Sequence, residues 1–265
     1  MHVTADDGAR IYVEIYDENG AGSDESKPWL LFSNSLGTNL RMWDPQMEDF
    51  SKSFRFVRYD CRGHGRSDAP EGLYTIERLG RDAIAILNAL DIERTFYCGL
   101  SKGGMVGQWL GANAPERIER MVLCNTAAYM PAPDLWNHRI EIATSKGIAP
   151  LAEGIVERWF TKDFRNHDPA EVERVGAMVH STPGVGYAGC CAAIRDMDQR
   201  DAIKGIALPT LVVAGEKGPA TSPELALEIQ KLIDGSKFFV LDAAHLSNIE
   251  QPDAFNGTVL EFLTQ

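Results

Sequence analysis

Short runs of apolar residues alternate with amphipathic segments along most of the chain, and this rhythm predicts its secondary structure. Residues Ile11–Tyr16 alternate between apolar and polar side chains, as expected for a half-exposed strand. Six further apolar runs have the length of buried parallel strands. These runs are Trp29–Phe32, Phe54–Tyr59, Thr95–Cys98, Met121–Cys124, Leu211–Ala214 and Lys237–Leu241.

Amphipathic segments between these runs predict the helices. Thr75–Leu90 carries apolar residues at helical spacing with charged residues between them. Gly103–Asn113 is a second candidate, which ends near Pro115. Ser222–Leu232 begins with Ser-Pro-Glu, a typical signal for the start of a helix, and Pro252–Leu263 closes the chain.

The alternation of strands and helices predicts an α/β fold, with a mostly parallel, twisted sheet and helices on both faces. The alternation stops between about Ala128 and Ala207, where helical patterns dominate. We interpret residues 128–207 as a helical cap inserted over the carboxyl edge of the sheet. Residues 1–127 and 208–265 then form the core, and Asp17–Lys27 is a charged, turn-rich connector.

Composition narrows the class of protein and its partners. The 265 residues are 44% hydrophobic and 24% charged, which is typical of a globular domain, and the formal charge is −12. A nucleic-acid partner is not expected of an acidic chain without clustered basic residues. The amino terminus is polar, and no apolar run has the length of a membrane span, so no membrane partner is expected. Oligomeric state stays open.

Cysteine usage predicts a reducing compartment. None of the five cysteines forms a C-x-x-C pair, so neither a zinc site nor a disulfide framework is indicated. Free thiols in a cytoplasmic protein are the simplest account. No metal or organic cofactor is implied. The glycines do not form a dinucleotide fingerprint either, because G-x-G-x-x-G is absent after the first strand. The cysteines are Cys61, Cys98, Cys124, Cys190 and Cys191.

The most informative motif is Gly99-Leu100-Ser101-Lys102-Gly103, a G-x-S-x-G sequence between a predicted strand and a predicted helix. In that context the serine occupies a sharp turn that exposes its hydroxyl above the sheet. Neighbouring residues must then lack side chains, and Gly99 and Gly103 meet this requirement. A glycine-rich turn with an incidental serine is the structural alternative. The context favours Ser101 as a nucleophile.

A serine nucleophile needs an oxyanion hole and a general base. The loop Ser33–Thr38 follows an early strand, so we expect the backbone amides of Leu36 and Lys102 to be the oxyanion donors. Of the six histidines, His245 alone follows the last predicted strand and precedes the final helix, which predicts that it is the base. His64 has a weaker claim, because it lies in a glycine-rich loop.

Several blocks together resemble the α/β-hydrolase superfamily, and within it the 3-oxoadipate enol-lactonases. The resemblance covers nearly the whole chain and implies a five-membered enol-lactone substrate with a carboxylate side chain. Ring opening would then give a 3-oxo-dicarboxylate in aromatic catabolism. The blocks are Ser33-Asn34-Ser35-Leu36-Gly37-Thr38, Met42-Trp43, Tyr59-Asp60-Cys61-Arg62-Gly63-His64-Gly65-Arg66-Ser67, Gly99-Leu100-Ser101, Gly103-Gly104-Met105, Asn125-Thr126-Ala127-Ala128 and His245-Leu246-Ser247-Asn248-Ile249-Glu250-Gln251-Pro252.

The chain departs from this family at the third member of the catalytic triad. Relatives carry an aspartate in Gly-x-x-Asp-Pro-Ala-Thr, whereas Gly218 occupies that position here. The position used by other relatives, after strand Met121–Cys124, holds the neutral Asn125. Glu216 is a possible substitute that requires a remodelled loop, and Asp242 is a less favoured one. Loss of this carboxylate costs serine hydrolases orders of magnitude in rate.

Lys102 is a second departure, because relatives usually carry an apolar residue after the serine. Its side chain could contact the substrate carboxylate, or it could be an amine of low pKa. Alternatively, it could extend into water, so that only the backbone amide of Lys102 takes part in the site. Ser35 and Arg139 are further candidates for substrate contact. The cap also offers Trp136, Trp159 and Met197 by position, although such residues often only pack helices.

These residues support a serine hydrolase that opens an anionic enol-lactone through an acyl-enzyme on Ser101, with His245 as the base. The loss of the acid at Gly218 leaves alternatives open. The first is a lyase, isomerase or cyclase that uses the same pocket without an acyl-enzyme. The others are a non-catalytic ligand sensor and a variant whose aspartate has been replaced.

Overall fold

A computed structural model describes residues 1–16 and 27–265, so most of the predicted connector lies outside the described residues. The described strands form a sheet in the order β1-β2-β4-β3-β5-β6-β7-β8. Their bounds are β1 His2–Thr4, β2 Arg10–Tyr16, β3 Trp29–Ser33, β4 Arg55–Tyr59, β5 Thr95–Leu100, β6 Ile118–Cys124, β7 Thr210–Gly215 and β8 Lys237–Leu241.

The sheet is antiparallel only at its amino-terminal edge. Strand β2 pairs antiparallel with β1 and β4, and all the pairs from β4 to β8 are parallel. The carboxyl ends of the parallel strands therefore meet at one edge, where ligands bind in open α/β sheets.

Helices connect most of the strands of the sheet. The helix Thr75–Leu90 of the sequence prediction is α2 in the structure, and the hydroxyl of Thr75 caps it by accepting from Arg78 N. The helices are α1 Met47–Ser51, α2 Ile76–Ala89, α3 Lys102–Asn113, α4 Pro133–Lys146, α5 Ala149–Trp159, α6 Lys162–His167, α7 Pro169–Ser181, α8 Gly184–Asp196, α9 Pro223–Leu232, α10 Ser247–Glu250 and α11 Pro252–Leu263, with 3-10 turns at Leu40–Gln46, Pro115–Arg117 and Ala202–Gly205.

The predicted fold class is confirmed, with two corrections to its strands. The short strand β1 was not predicted, because a run of three residues carries too little periodicity. Lys237–Leu241 does form a strand, but its prediction as a buried one is wrong. Strand β8 is the last of the sheet, and its residues Phe239 and Val240 are 40% and 41% exposed.

Five helices, α4 to α8, follow one another between β6 and β7, in the segment that the sequence assigns to a cap. An antiparallel bridge between Tyr129 and Asp198 ties the two ends of this segment together. Helix α8 contacts the core so closely that a Cβ on Gly186 would lie 2.3 Å from Gly63 Cα. None of the helices in the described ranges is long and apolar enough to span a bilayer.

Candidate active site

Ser101 lies on a sharp turn between β5 and α3. Its φ of 58° and ψ of −116° are a strained backbone conformation for a residue with a side chain. A Cβ on Gly99 would lie 2.3 Å from Gly103 O, and one on Gly103 would lie 2.0 Å from Ser33 O. Only glycine fits at either position, so the turn can form only with this pattern. The side chain of Ser101 lines a partly enclosed cavity together with residues of α4, α5 and α8.

The loop Ser33–Thr38, predicted to supply an oxyanion donor, is fixed by hydrogen bonds on both sides of Leu36. Ser35 N donates to Met42 Sδ at 3.3 Å, and Gly37 N donates to His64 Nε2 at 2.9 Å. Within the described part of the chain, the structure shows no internal acceptor for the Leu36 amide. Lys102 N, at the first position of α3, likewise lacks an acceptor in its own helix. Both amides are therefore available to an oxyanion.

His64 has a role in this loop that the sequence did not indicate. Because Gly37 N–H is a donor, His64 Nε2 must accept, and Nδ1–H then donates to Arg62 O at 3.1 Å. Burial, and next the charge of Lys102, lower the pKa of His64 well below its usual range. The neutral ring thus holds Gly37 in place beside Leu36.

His245 lies in the short loop between β8 and α10, and its side chain lines the same cavity as Ser101. The ring stacks on Trp159, with 6.2 Å between ring centroids and an interplanar angle of 28°. Burial lowers the pKa of His245 to about 3, with further contributions from Arg139 and Arg158. The ring is therefore neutral across physiological pH, which is the form that a general base requires.

None of the candidate carboxylates contacts His245. Glu216 is exposed to solvent, so the expectation that it substitutes for the acid is corrected. Asp242 is also exposed and pairs with Lys217. Instead, His245 Nδ1 lies 3.0 Å from the hydroxyl of Thr221, the last residue of the stretch that contains Gly218.

Asn125, at the alternative acid position, turns its side-chain amide away from the imidazole. Its Nδ2 donates to Ala244 O at 3.2 Å, and its Oδ1 accepts from Ser247 Oγ at 2.7 Å. Asn125 therefore fixes the loop on both sides of His245. Its neutral amide supplies no negative charge to the ring.

The side chain of Lys102 is completely buried, so its predicted extension into water is wrong. It does not line the cavity, and the predicted contact between this side chain and the substrate is also corrected. Burial opposes its charged form, but the thiols of Cys190 and Cys61 outweigh that effect and raise the pKa of Lys102. The predicted low-pKa amine is therefore wrong as well.

The cavity has a volume of about 100 Å³ and brings together most of the predicted site residues. Ser35, Leu36, Trp136 and Arg139 line it with Ser101 and His245, whereas Met197 does not. Reasoning from the sequence missed further lining residues, of which five lie on α4, α5 and α8 and the others lie on α3 or in loops. The lining residues not singled out as site residues are Met105, Met130, Leu135, Ile155, Arg158, Tyr187, Ile194, Pro219, Ala220 and Thr221.

The cavity wall carries positive charge and unpartnered donors. Arg139 and Arg158 form no salt bridge with any described residue, and Arg139 stacks on Trp136 at 5.0 Å. Burial and the charge of Arg139 lower the pKa of Arg158. Ser35 Oγ, Trp136 Nε1 and Tyr187 Oη are buried without a hydrogen-bond partner within the described ranges. Such groups are costly unless a ligand satisfies them, so the wall suits an anionic ligand rich in acceptors.

Comparison with known proteins agrees with this geometry. A family model for the α/β hydrolase fold matches residues 28–252, and the chain belongs to the α/β-hydrolase family. 3-Oxoadipate enol-lactonase 2 of Acinetobacter baylyi is 40% identical over 233 residues, which cover 88% of this chain and 87% of that protein. 3-Oxoadipate enol-lactonase 1 of the same organism is 38% identical, over 96% of this chain and 92% of that protein.

Solved structures extend the similarity to three dimensions. The enol-lactonase from Burkholderia xenovorans LB400 superposes with a TM-score of 0.96 at 40% identity, and all of both chains is covered. The predicted resemblance to enol-lactonases is thus confirmed, together with the prediction of a hydrolase.

Proposed function

We propose that this protein is a serine hydrolase that opens a carboxylate-bearing enol-lactone of the 3-oxoadipate enol-lactone type. One observation carries this proposal: Ser101 and His245 share a cavity with two arginines and three buried donors that have no partner among the described residues. A five-membered lactone with a short acid chain presents one carboxylate and several acceptor oxygens to such a wall. The names of the similar proteins support the same substrate class.

The position of the charges favours an anion bound at the cap side of the cavity. Arg139 lies on α4 and Arg158 on α5, whereas Ser101 follows β5 in the core. A substrate carboxylate held by the arginines would direct the lactone carbonyl towards Ser101. Charge-assisted hydrogen bonds of this kind are short and about twice as strong as neutral ones, so they suit an orienting contact.

The reaction then follows from the named groups. Ser101 Oγ attacks the lactone carbonyl carbon while His245 Nε2 takes the hydroxyl proton, and the amides of Leu36 and Lys102 hold the oxyanion. The ring C–O bond breaks, and the proton passes from His245 to the released enol oxygen, which tautomerises to a ketone. Water gives a proton to His245 as it attacks the acyl carbon. The bond between that carbon and Ser101 Oγ then breaks, His245 returns the proton to Oγ, and the new carboxylic acid leaves.

An enol-lactone suits a site without the triad carboxylate. The leaving oxygen is an enolate, which is less basic than an alkoxide, so it requires less proton donation from His245 as the ring opens. The low pKa of His245, about 3, makes imidazolium formation the costly part of the cycle. A substrate with a good leaving group reduces that demand.

The proposed function is tested by comparing the turnover of the enol-lactone with that of the same lactone whose carboxylate is a methyl ester. We expect the anionic lactone to be opened, and kcat/KM to fall by about 10- to 100-fold for the ester, because the arginines lose a charged partner. Ser101→Ala is the matched control and should abolish turnover and labelling by a fluorophosphonate.

Retained lactone turnover in Ser101→Ala would contradict the acyl-enzyme. Absence of both labelling and lactone turnover in the unaltered protein would refute the hydrolase and favour altered chemistry or a ligand sensor.

We also place the reaction in the cytoplasm. All five cysteines are buried and unpaired, although they include the neighbours Cys190 and Cys191. Persistent free thiols are typical of proteins in a reducing compartment. Detection of the protein in a cytoplasmic fraction checks this location.

A further inference from the structure

The hydroxyl of Thr221 occupies the place where His245 would meet the triad carboxylate. It lies 3.0 Å from His245 Nδ1 and 2.9 Å from the backbone oxygen of Asn125. Both side chains are nearly inaccessible, at 5% exposure for Thr221 and 3% for His245, so water does not compete for these contacts.

The proton of this hydroxyl has one satisfactory position. Asn125 O accepts only, so Thr221 must donate its single proton there. The oxygen of Thr221 then presents a lone pair to His245, and Nδ1 must carry the ring proton to complete the contact. The reverse arrangement leaves two oxygen atoms 2.9 Å apart with no proton between them. The hydrogen-bond network therefore favours His245 with Nδ1–H and an unprotonated Nε2.

We propose that Thr221 is a positioning residue that replaces the missing aspartate in one of its two roles. It fixes the tautomer and orientation of His245, so that Nε2 can accept the Ser101 proton. It does not supply the negative charge that stabilises imidazolium. This role rests on the proposed function, in which His245 acts as the base.

Surrounding contacts hold the Thr221 acceptor in position. Asn125 N donates to Val213 O at 2.8 Å, which fixes the carbonyl that receives the Thr221 proton. Leu246 N donates to Trp159 O at 3.1 Å, so the loop after His245 is also attached to the cap. The hydroxyl therefore meets an imidazole whose location is set by both the core and the cap.

The test replaces the hydroxyl with a methyl group in Thr221→Val and uses Thr221→Ser as the matched control. We expect Thr221→Val to lower kcat on the lactone by about 10- to 100-fold, because a buried N–H loses its acceptor. KM should change little, since the substrate contacts are elsewhere. Thr221→Ser keeps the oxygen and should restore kcat to within about threefold of the unaltered protein.

Nitrogen-15 NMR of the histidine rings reads the tautomer directly and requires no substrate. In the unaltered protein, His245 should show a protonated Nδ1 and an unprotonated Nε2, and Thr221→Val should lose that pattern. A protonated Nε2 in the unaltered protein, an unchanged kcat in Thr221→Val, or equal losses in both variants would each overturn the inference. If Ser101→Ala instead keeps full turnover, the proposed function fails while the NMR result on Thr221 still stands.

Discussion

Restoring the absent carboxylate is the sharpest perturbation that this active site offers. An ideal Cβ on Gly218 lies 3.3 Å from Ala244 C and 3.4 Å from His245 N, so a Cβ there requires shifts of only a few tenths of an ångström. Gly218 is buried beside the loop of His245, and its new carboxylate would be shielded from water. We therefore expect Gly218→Asp to add a negative charge beside the loop that carries His245.

The size of the effect follows from the state of His245. Its pKa of about 3, against an ordinary 6.5, means that imidazolium formation costs about 5 kcal/mol more here than in water. An adjacent buried carboxylate raises this pKa again and offsets part of that cost. Removal of a triad aspartate lowers kcat by about 10⁴-fold in serine hydrolases. Since Thr221 already orients the ring, we expect Gly218→Asp to raise kcat by about 10²- to 10³-fold.

The assay measures kcat and kcat/KM on the enol-lactone between pH 5 and 9. In the unaltered protein, His245 loses its proton far below this pH range, so its ionisation should cause no inflection in the plot of activity against pH. In Gly218→Asp the higher pKa should bring an inflection into the range, with activity rising as the pH increases. Gly218→Asn is the matched control, because it adds the same bulk without the charge.

Two results would refute this reasoning. The first is an equal gain in Gly218→Asn, which would show that packing rather than charge limits the rate. The second is an unchanged or lower kcat in a Gly218→Asp protein that retains its unfolding temperature. A double-mutant cycle adds a further check, since Thr221→Val should cost less in the presence of Asp at position 218.

Three further predictions concern charge. Arg158→Met should lower kcat/KM for the anionic lactone by about 10- to 100-fold but not for the neutral methyl ester, and equal losses on both would contradict an anion contact. Lys102→Met should leave KM unchanged, because the side chain does not line the cavity. A raised KM would instead indicate that this side chain contacts the substrate. His245 takes up a proton on unfolding below about pH 6.5, since its folded pKa is about 3. Stability should therefore fall by about 2 kcal/mol from pH 6.5 to 5, measured by urea unfolding, and less in His245→Gln.

The sequence pattern around a residue was sufficient to predict those site residues that lie in the loop directly after a strand. Ser101 and His245 each follow a strand, and all parallel strands end at one edge, so their meeting follows from the order of elements. The exposure of β8 could not be predicted in the same way. Its sequence, Lys237–Leu241, is as apolar as that of a central strand, and it is an edge only because no other described strand pairs with its outer side.

The cap residues illustrate the opposite case. Arg158 and Tyr187 reach the cavity because α5 and α8 fold back over the core, and no spacing in the sequence encodes that contact. Arg165 is a similar cap arginine, yet it pairs with Glu157 away from the cavity. Thr221 had a sequence signal, because it belongs to the stretch that contains Gly218. A search restricted to carboxylates overlooked its hydroxyl.

The missing triad carboxylate and the positive charge of the cavity wall both affect the protonation of His245. Arg139 and Arg158 both lower the pKa of His245, and with glycine at position 218 no carboxylate of residues 1–16 or 27–265 contacts the ring and opposes them. An anionic substrate bound at these arginines offsets their charge, so the imidazolium of His245 becomes less costly once the substrate is in place. The carboxylate of the substrate would then have two roles. It would orient the lactone, and it would supply part of the stabilisation of the His245 imidazolium that is lost with glycine at position 218. Comparison of the lactone with its methyl ester therefore bears on kcat as well as on KM.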